Sequence, residues 1–318
     1  MRRIVLVLSS LLAIVLALSG CGSSSSGSSS SSNVNAQVTA TGKFGVQPTV
    51  TIPTAKADTK LAIKTVIKGS GPVLAKTDAL IGNYVVYIWS GTGHKLAQST
   101  FKTAPALFSG TLLPGLESAL IGQKVGSRVL AVIPPKLGYG SQGNSQGGVK
   151  PTDTLVFVID MIHSYAGNAS AQGQNVSDGG HGLPTVSAAT GSAPKITIPS
   201  GAKAPAKLAV KTLIKGTGPL AGKGQTLVVQ YTGVIWRTGK VFDSSWSRSQ
   251  PFGFTLDASP AQVIAGWNTG LTGQAVGSRV MLVIPPSDGY GKAGSSQAGI
   301  KGTDTLVFVV DILGAYSA

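Results

Sequence analysis

Hydrophobic and polar positions alternate along several short stretches of the chain, with the period of a β-strand. The clearest stretch is Thr305–Leu313, in which Leu, Phe, Val and Ile occupy every second position. Leu208–Ile214, Thr226–Trp236 and Arg279–Ile284 follow similar patterns, whereas Pro260–Leu271 suggests a short, glycine-containing helix. Strands at this spacing, with Gly, Pro and Asp between them, predict an antiparallel sheet with one small helix packed on it.

The chain contains this pattern twice. The segment TDTLVFVID at 152–160 returns as TDTLVFVVD at 303–311, VGSRVLAVIPP at 125–135 as VGSRVMLVIPP at 276–286, and KLAIKTVIKGSGP at 60–72 as KLAVKTLIKGTGP at 207–219. The repeat is longer than the roughly 20–50 residues of a solenoid unit and has the length of a domain. We therefore expect an α+β protein of two related domains.

The N-terminus has the organisation of a lipoprotein signal peptide. Arg2 and Arg3 precede the apolar run Ile4–Leu18, and small residues then lead to Cys21, the single cysteine of the chain. Leu-Ser-Gly-Cys resembles a bacterial lipobox, in which the cysteine is acylated. A membrane-spanning anchor is the alternative, but the run is shorter than the roughly 20 residues that a span needs. We expect lipid attachment at Cys21 and a location outside the cytoplasm, at the bacterial cell membrane.

Composition divides the rest of the chain. We expect a signal peptide at 1–20, a Ser/Gly-rich tether and extended leader at 21–58, and a first domain at 59–165. A Gly/Ser/Ala/Pro-rich linker would occupy 166–206 and a second domain 207–318. Because the end of the linker, ITIPSGAKAPAKL, resembles the leader sequence VTIPTAKADTKL, the duplicated unit included its leader.

The charge of the chain does not point to nucleic acid. There are 26 Lys and Arg against 11 Asp and Glu, a net charge of +15. The basic residues are scattered, without aromatic-interleaved patches or a nucleic-acid motif. A solvated basic surface is favoured, and weak attraction to anionic lipid or envelope polymers stays open.

Most catalytic chemistries lack the residues they need. Histidine occurs only at His94, His163 and His181, so the second domain has no His-based triad or zinc site. Glu117 is the one glutamate, and no paired carboxylates suggest glycoside hydrolysis.

What remains in the second domain is a set of aromatic and apolar motifs with one acid. VVQYTGVIW begins at Val228, KVFDSSWSRSQPFGF at Lys240 and QVIAGWNTGLTG at Gln262, followed by Gly-Tyr-Gly and TLVFVVDIL. In order and spacing these motifs resemble the FKBP-type peptidyl-prolyl cis-trans isomerases, and the resemblance covers essentially all of the second domain. It implies two FKBP-like domains, each an antiparallel sheet wrapped on one short α-helix.

The resemblance also implies a site. It gives catalytic roles to Tyr231, Phe242, Asp243, Tyr290 and Phe308, and substrate contacts to Arg248, Phe252, Val263, Ile264, Trp267 and Ile300. In the family pattern, Trp267 is the floor, Tyr231, Phe242 and Phe308 are walls, and the Ile264 N–H and the Tyr290 hydroxyl meet substrate carbonyls. Trp246 is a rim position that varies. Phe254, Val280, Leu282, Leu306 and Val310 are assigned to the core instead.

Such a site implies isomerisation of X-Pro bonds in exported polypeptides, with no metal and no cofactor. Two alternatives stay open. The domains would hold Pro-containing segments as a chaperone without catalysis, or the protein would be a structural envelope lipoprotein.

The first domain keeps the strand motifs but not the site. Phe-Asp-Ser-Ser is aligned with Leu96–Ser99, Phe252 with Ala106, and Val-Ile-x-Gly-Trp with Leu112–Leu116; the segment between Phe108 and Gly115 is about five residues shorter. Tyr84, Tyr139 and Phe157 match Tyr231, Tyr290 and Phe308. We expect weak or no isomerase activity here. Peptide holding, dimer contact or a rigid spacer are the open alternatives.

Overall fold

A computed structural model describes residues 33–176 and 182–317. The expected signal peptide, Cys21 and His181 lie outside these residues. From Asn33 onward the chain forms one compact unit. None of its described helices is long and apolar enough to cross a bilayer.

The described residues form mainly β-strands and two short α-helices. The strands are β1 (Thr39–Thr41), β2 (Thr49–Thr51), β3 (Ala62–Ile67), β4 (Ala79–Ser90), β5 (Gly93–Ser99), β6 (Ala106–Phe108), β7 (Arg128–Ile133), β8 (Thr154–Tyr165), β9 (Gln174–Asn175), β10 (Thr185–Ser187), β11 (Lys195–Thr197), β12 (Ala209–Lys215), β13 (Thr226–Ile235), β14 (Val241–Ser244), β15 (Phe252–Thr255), β16 (Arg279–Ile284) and β17 (Leu306–Tyr316). The α-helices are α1 (Pro114–Leu120) and α2 (Ala265–Leu271). Single 3-10 turns form at Val34–Gln37, Pro135–Leu137, Gly140–Gln142, Trp246–Arg248, Pro286–Asp288, Gly291–Ala293 and Ser296–Ala298.

Two antiparallel sheets repeat one topology. The first has the order β3-β7-β8-β4-β5, with β6 also paired to β4; the second has the order β9-β12-β16-β17-β13-β14, with β15 also paired to β13. Helix α1 packs on the first sheet and α2 on the second. The expected fold, an antiparallel sheet with one short helix in each of two domains, is confirmed.

Both faces of each sheet are covered, which explains the nearly continuous apolar runs. On β17, Phe308 and Val310 face the helix side, while Val307 and Val309 belong to a second cluster on the opposite side. That opposite side is covered by a hairpin in each domain, β1–β2 in the first and β10–β11 in the second. Successive residues of these strands therefore point to two different buried faces of the sheet, and neither face is exposed to solvent.

The hairpins lie in the segments for which an extended leader and a linker are expected. Val38 and Ile52 are buried against the first sheet, and Ile196 against the second. A tryptophan indole fixes each segment, since Trp89 donates to the Ala55 carbonyl at 3.0 Å and Trp236 to the Ala202 carbonyl at 3.3 Å. The leader-like sequences are thus part of each fold.

A buried ion pair also occurs in both copies. Arg128 Nε lies 2.6 Å from Asp160 Oδ1, and Arg279 Nε lies 2.6 Å from Asp311 Oδ1. The Arg128 guanidinium also donates to the carbonyls of Gly42 and Val46, which belong to the β1–β2 turn, at 2.9 and 2.6 Å. Pairing and hydrogen bonding compensate the cost of burying these charges.

The two domains contact each other directly. The Tyr165 hydroxyl lies 2.5 Å from the Tyr316 hydroxyl, and Thr226 donates to the Pro105 carbonyl at 2.8 Å. Ile81 and Val228 are fully buried in the same small cluster. The end of β17 and the start of β13 are therefore packed against the first domain.

Candidate functional site

Three neighbouring strands bring the central site residues together. Tyr231 lies on β13, Phe242 on β14 and Phe308 on β17. Gly233 of β13 pairs with Asp243 on one side and with Phe308 on the other. A Cβ at Gly233 would lie 2.8 Å from Phe242 Cζ and from Phe308 Cε1, so glycine is required for these two rings to meet.

The aromatic side chains form one cluster around Trp267. The Trp267 ring lies 5.2 Å from the rings of Tyr231 and Phe308, and both pairs are edge-to-face. Phe252 lies 6.3 Å from Trp267 and 5.9 Å from Tyr231, and Phe242 lies 5.4 Å from Phe308. Such arrangements place the positive edge of one ring on the negative face of the next.

The aromatic cluster is buried on one side and partly exposed on the other. Trp267 and Phe308 are buried, whereas Phe242 and Phe252 are only partly buried. The Trp267 indole N–H is buried and has no hydrogen-bond partner among the described residues. Helix α2 places Trp267 beneath the strands because Gly266 lets the helix approach Ile284, where a Cβ would lie 2.6 Å from Ile284 Cγ2.

One edge of the cluster is polar. The Tyr231 hydroxyl donates to Asp243 Oδ2, and Arg248 donates to Asp243 Oδ1 at 2.6 Å and to the Tyr231 oxygen at 3.0 Å. Burial, followed by the Asp243 carboxylate, raises the pKa of Tyr231 above its ordinary value. The phenol therefore stays protonated at neutral pH, and the three side chains hold one another in place.

A second hydrogen-bond network lies behind the polar edge. Ser245 donates to Gln230 Oε1 and accepts from the Tyr231 N–H at 2.8 Å. Gln230 Nε2 donates to the Gly167 carbonyl at 2.7 Å, in the segment that joins the domains. This network connects the backbone of Tyr231 to the interdomain segment.

The remaining predicted residues surround the opening. Val263 and Ile264 are partly buried against the cluster, and Ile300 is buried beside it. The N–H of Ile264, the N-cap residue of α2, donates no hydrogen bond within the described residues. Tyr290 is exposed, and partial burial together with the Asp243 charge raises the pKa of its hydroxyl. An N–H and a hydroxyl are thus available to a ligand that covers the aromatic cluster.

Every predicted site residue except Tyr290 packs in the aromatic cluster or belongs to its polar edge. Tyr290 faces Asp243 from a separate turn. Trp246, the predicted rim residue, is partly buried on the 3-10 turn that carries Arg248. The residues assigned to the core, Phe254, Val280, Leu282, Leu306 and Val310, are all buried.

The site in the first domain differs, and one aligned block shifts by a residue. Strand pairing matches Val86 with Gln98, as it matches Gly233 with Asp243. Thr100, not Ser99, takes the role of Ser245, because its hydroxyl accepts from the Tyr84 N–H at 2.9 Å. The alignment of Phe-Asp-Ser-Ser with Leu96–Ser99 is therefore wrong. The structural counterparts are residues 97–100, with Ala97 in place of Phe242.

The first-domain cluster is correspondingly smaller. Tyr84 lies 5.6 Å from Phe108 and 6.1 Å from Phe157, with Leu116 buried where the second domain has Trp267. Val86, the counterpart of Gly233, is buried in this core. A valine at that position is compatible with alanine at 97 but would collide with a phenylalanine there. The loss of Phe242 and the gain of Val86 are thus two parts of one change.

The supporting residues Gln230 and Ser245 are not among the predicted site residues. A signal was present, because a glutamine between Val229 and Tyr231 is a polar residue inside an apolar strand. Its counterpart Asn83 accepts from Thr100 Oγ1 at 3.0 Å, so the network occurs in both copies. Among the described residues, no group of three His, Cys, Asp or Glu side chains could hold a metal ion.

Comparison with known proteins gives matches in both domains. The model of the family described as FKBP-type peptidyl-prolyl cis-trans isomerase matches residues 71–162 and 218–313. An FK506-binding protein of Streptomyces anulatus is 43% identical over 120 residues, 38% of this chain and 94% of that protein. A probable FK506-binding protein of Corynebacterium glutamicum is 42% identical over 122 residues, 38% of this chain and 98% of that protein. Peptidyl-prolyl cis-trans isomerase FKBP9 of Mus musculus is 29% identical over 204 residues, 64% of this chain and 29% of that protein.

Proposed function

Because the chain belongs to the FKBP-type peptidyl-prolyl cis-trans isomerase family, we propose that its second domain carries the isomerase activity and that its substrates are exported polypeptides. The observation that carries this proposal is the pairing of the aromatic cluster with Tyr231, Asp243 and Arg248. The first domain has Gln98 and Ala97 where the second has Asp243 and Phe242.

The proposed mechanism follows from the electronic structure of the amide. Resonance keeps the X-Pro bond planar and opposes rotation with a barrier of about 18–20 kcal/mol. Twisting the bond removes resonance and reduces charge separation, so an apolar surround favours the twisted amide over the planar one. The rings of Trp267 and Phe308 supply that surround, with edges that contact the proline ring.

Polar groups at the opening would fix the substrate on either side of the rotating bond. The free N–H of Ile264 would donate to one substrate carbonyl and the Tyr290 hydroxyl to another. Asp243, held by Tyr231 and Arg248, places a negative charge beside the cluster. Binding the flanking groups while the bond turns restricts the motion to rotation about a single axis.

A matched pair of variants in the intact chain tests the assignment to the second domain. Phe308→Ala and Phe157→Ala remove equivalent buried rings from β17 and β8, the final strand of each sheet in chain order. We expect Phe308→Ala to lower kcat/KM on an X-Pro peptide by on the order of 10²-fold, since burying a Phe contributes about 1.5–3 kcal/mol. Phe157→Ala should leave kcat/KM within about twofold. Equal losses from both variants would overturn the assignment.

Because both substitutions empty core positions, exposed positions provide a second pair. Asp243→Asn and Gln98→Asn alter equivalent residues, and the Asp243 side chain is partly exposed, so folding should be retained. Turnover should fall only for Asp243→Asn. Unchanged turnover for that variant would remove Asp243 from the site.

We further propose that the mature chain is held at the membrane by lipid on Cys21. The support is the basic start, the short apolar run and the lipobox-like Leu-Ser-Gly-Cys. Metabolic labelling with a fatty acid should mark the wild-type chain and not Cys21→Ser. Label on both chains, or on neither, would contradict the proposal.

A further inference from the structure

A groove of about 300 Å³ opens on the first domain. Its floor is apolar and consists of Leu74, Leu80, Phe108 and Leu120. The exposed pair Lys76–Glu117, 2.8 Å apart, lies at its rim together with Asp78. Gln250 of the second domain also lines it, between the site residues Arg248 and Phe252.

The second domain fills the equivalent space with its own chain. Leu256 is fully buried and packs with Leu227, Phe254 and Leu271. Its N–H donates to the Gln225 carbonyl at 2.9 Å, and its carbonyl accepts from Gly224 at 2.8 Å. Leu256 thus closes that side of the second domain's core.

The first domain lacks this closing residue. Gly110, with φ of 76°, follows β6 where Leu256 follows β15, and the next segment is about five residues shorter. The Asp78 carbonyl corresponds to the Gln225 carbonyl, since both residues close equivalent turns through Ala75 and Gly222. That carbonyl accepts no backbone hydrogen bond among the described residues.

We propose that this groove binds an extended polypeptide segment through a leucine-sized side chain, in the manner of Leu256. The backbone N–H of the bound leucine would donate to the Asp78 carbonyl. Glu117 occupies the position of Asn268, whose Oδ1 accepts the N–H of Asp257 at 2.9 Å. Glu117 would therefore accept the N–H of the residue that follows the bound leucine.

The charged side chains at the rim of the groove restrict which residue can follow the bound leucine. In the second domain Lys223 pairs with Asp257 at 2.9 Å, but its counterpart Lys76 already pairs with Glu117. An acidic residue after the leucine would meet the Glu117 carboxylate, so a neutral or basic residue is preferred. The groove thus selects leucine followed by a non-acidic residue.

The position of Gln250 places the groove beside the loop that carries Arg248 and Phe252. The occupant is a client polypeptide, and on this point alone the inference rests on the proposed function. The first domain would hold a client segment while the second acts on a proline elsewhere in the same client. Binding to a first site raises the effective concentration of the chain at a second.

The test uses peptides without proline, so its outcome is independent of isomerase activity. Ac-Thr-Leu-Asn-Ala-NH2 is titrated into the methyl-labelled intact chain, with the Leu→Ser and Asn→Asp peptides as controls. We expect saturable shifts of the Leu74, Leu80 and Leu120 methyl signals. Binding should be at least about tenfold weaker for the Leu→Ser peptide, because it buries no aliphatic group. Equal binding of the leucine and serine peptides would overturn the inference.

Two variants close the groove by different routes. Ala75→Trp places a ring over its mouth, and a graft replaces Gly110–Leu112 with Leu256–Val263 of the second domain. Either should abolish the methyl shifts while X-Pro turnover stays at the wild-type level, and Ala75→Ser should leave both unchanged. The graft keeps the test decisive should Ala75→Trp fail to fold. Shifts that persist in a folded closed variant would contradict the assignment.

Discussion

The two domains share the residues that support their sheets and differ in the residues of the site. Both have a buried Arg–Asp pair, a Trp indole that donates to a carbonyl after the hairpin, and a Ser or Thr hydroxyl that accepts from a tyrosine N–H. Only the second adds Phe242 and Asp243, and only the second has the glycine that makes room for Phe242. Strand pairing and two-sided burial are thus maintained by one set of residues and the site by another, so one set can change while the other is retained.

The largest expected effect concerns the buried Arg–Asp pair that both domains contain. Asp160→Ala and Asp311→Ala each leave a buried arginine without its carboxylate partner, and each should lower the free energy of unfolding by about 3–5 kcal/mol. Urea denaturation of the intact chain measures both. Lys223→Ala, which breaks the exposed pair with Asp257, should cost no more than about 1 kcal/mol. A small effect in only one domain would show that the buried pairs do not have the same role.

The next largest expected effect concerns the contact between the two domains. A Cβ at Gly314 would lie 2.0 Å from Tyr165 Oη and 2.8 Å from Tyr316 Cε2. Gly314→Ala should therefore separate the domains locally and cost about 1–3 kcal/mol. We expect thermal unfolding to show one transition for the wild type and two for Gly314→Ala. Gly93→Ala, where the Ser90 carbonyl oxygen lies 3.9 Å from the added Cβ, is the control and should stay within about 0.5 kcal/mol. A variant that keeps one transition would show that the contact does not couple the domains.

Much of the framework was predictable from the sequence because the signal was duplicated. Arg279–Ile284 is a strand with those bounds, and α2 lies within the predicted Pro260–Leu271. The hairpins were not predicted, because Thr-rich strands of only three residues give too short a pattern. Packing on the sheets stabilises them, through residues such as Val38 in the first domain and Ile196 in the second.

The site was predictable as a set of residues, but not in its details. The one-residue shift at Leu96 arises because the β4–β5 hairpin is longer than its counterpart, with 14 positions from Tyr84 to Gln98 and 12 from Tyr231 to Asp243. The bulge that follows occurs in both copies. Sequence identity of serines favoured Ser99, whereas the hydrogen bond to the tyrosine N–H needs only a hydroxyl, which Thr100 supplies. The groove beside Gly110 was also missed, because a deletion in sequence does not show which buried side chain is lost.

A smaller effect is expected from removing the hydroxyl of Tyr231 or of its first-domain counterpart, Tyr84. Tyr231→Phe removes the donor to Asp243 and the acceptor of Arg248, and hydrogen bonds to charged groups are worth about 1.5–3 kcal/mol. We expect kcat/KM on an X-Pro peptide to fall by about tenfold. Tyr84→Phe is the control, since the Tyr84 hydroxyl makes no side-chain hydrogen bond among the described residues. Should Tyr231→Phe retain full turnover, the polar edge would have no part in the reaction.

The smallest expected effect is a difference in alkaline stability. Burial raises the pKa of Tyr231 and of Tyr84, and Asp243 raises that of Tyr231 further. In the unfolded chain both phenols ionise near the ordinary value of 10.0. The folded state therefore retains protons that the unfolded state has lost, so the stabilisation is complete below pH 10 and declines above it.

Urea midpoints at pH 9 and pH 10.5 measure this decline, which for one tyrosine should be less than about 1 kcal/mol over that interval. Tyr231→Phe should flatten the decline more than Tyr84→Phe does, because the Asp243 carboxylate, which raises the pKa of Tyr231, outweighs the Arg248 guanidinium, which lowers it. An equal flattening would mean that burial alone holds both protons. In that case the two domains would differ in the residues around the tyrosine but not in the electrostatic environment of the tyrosine itself.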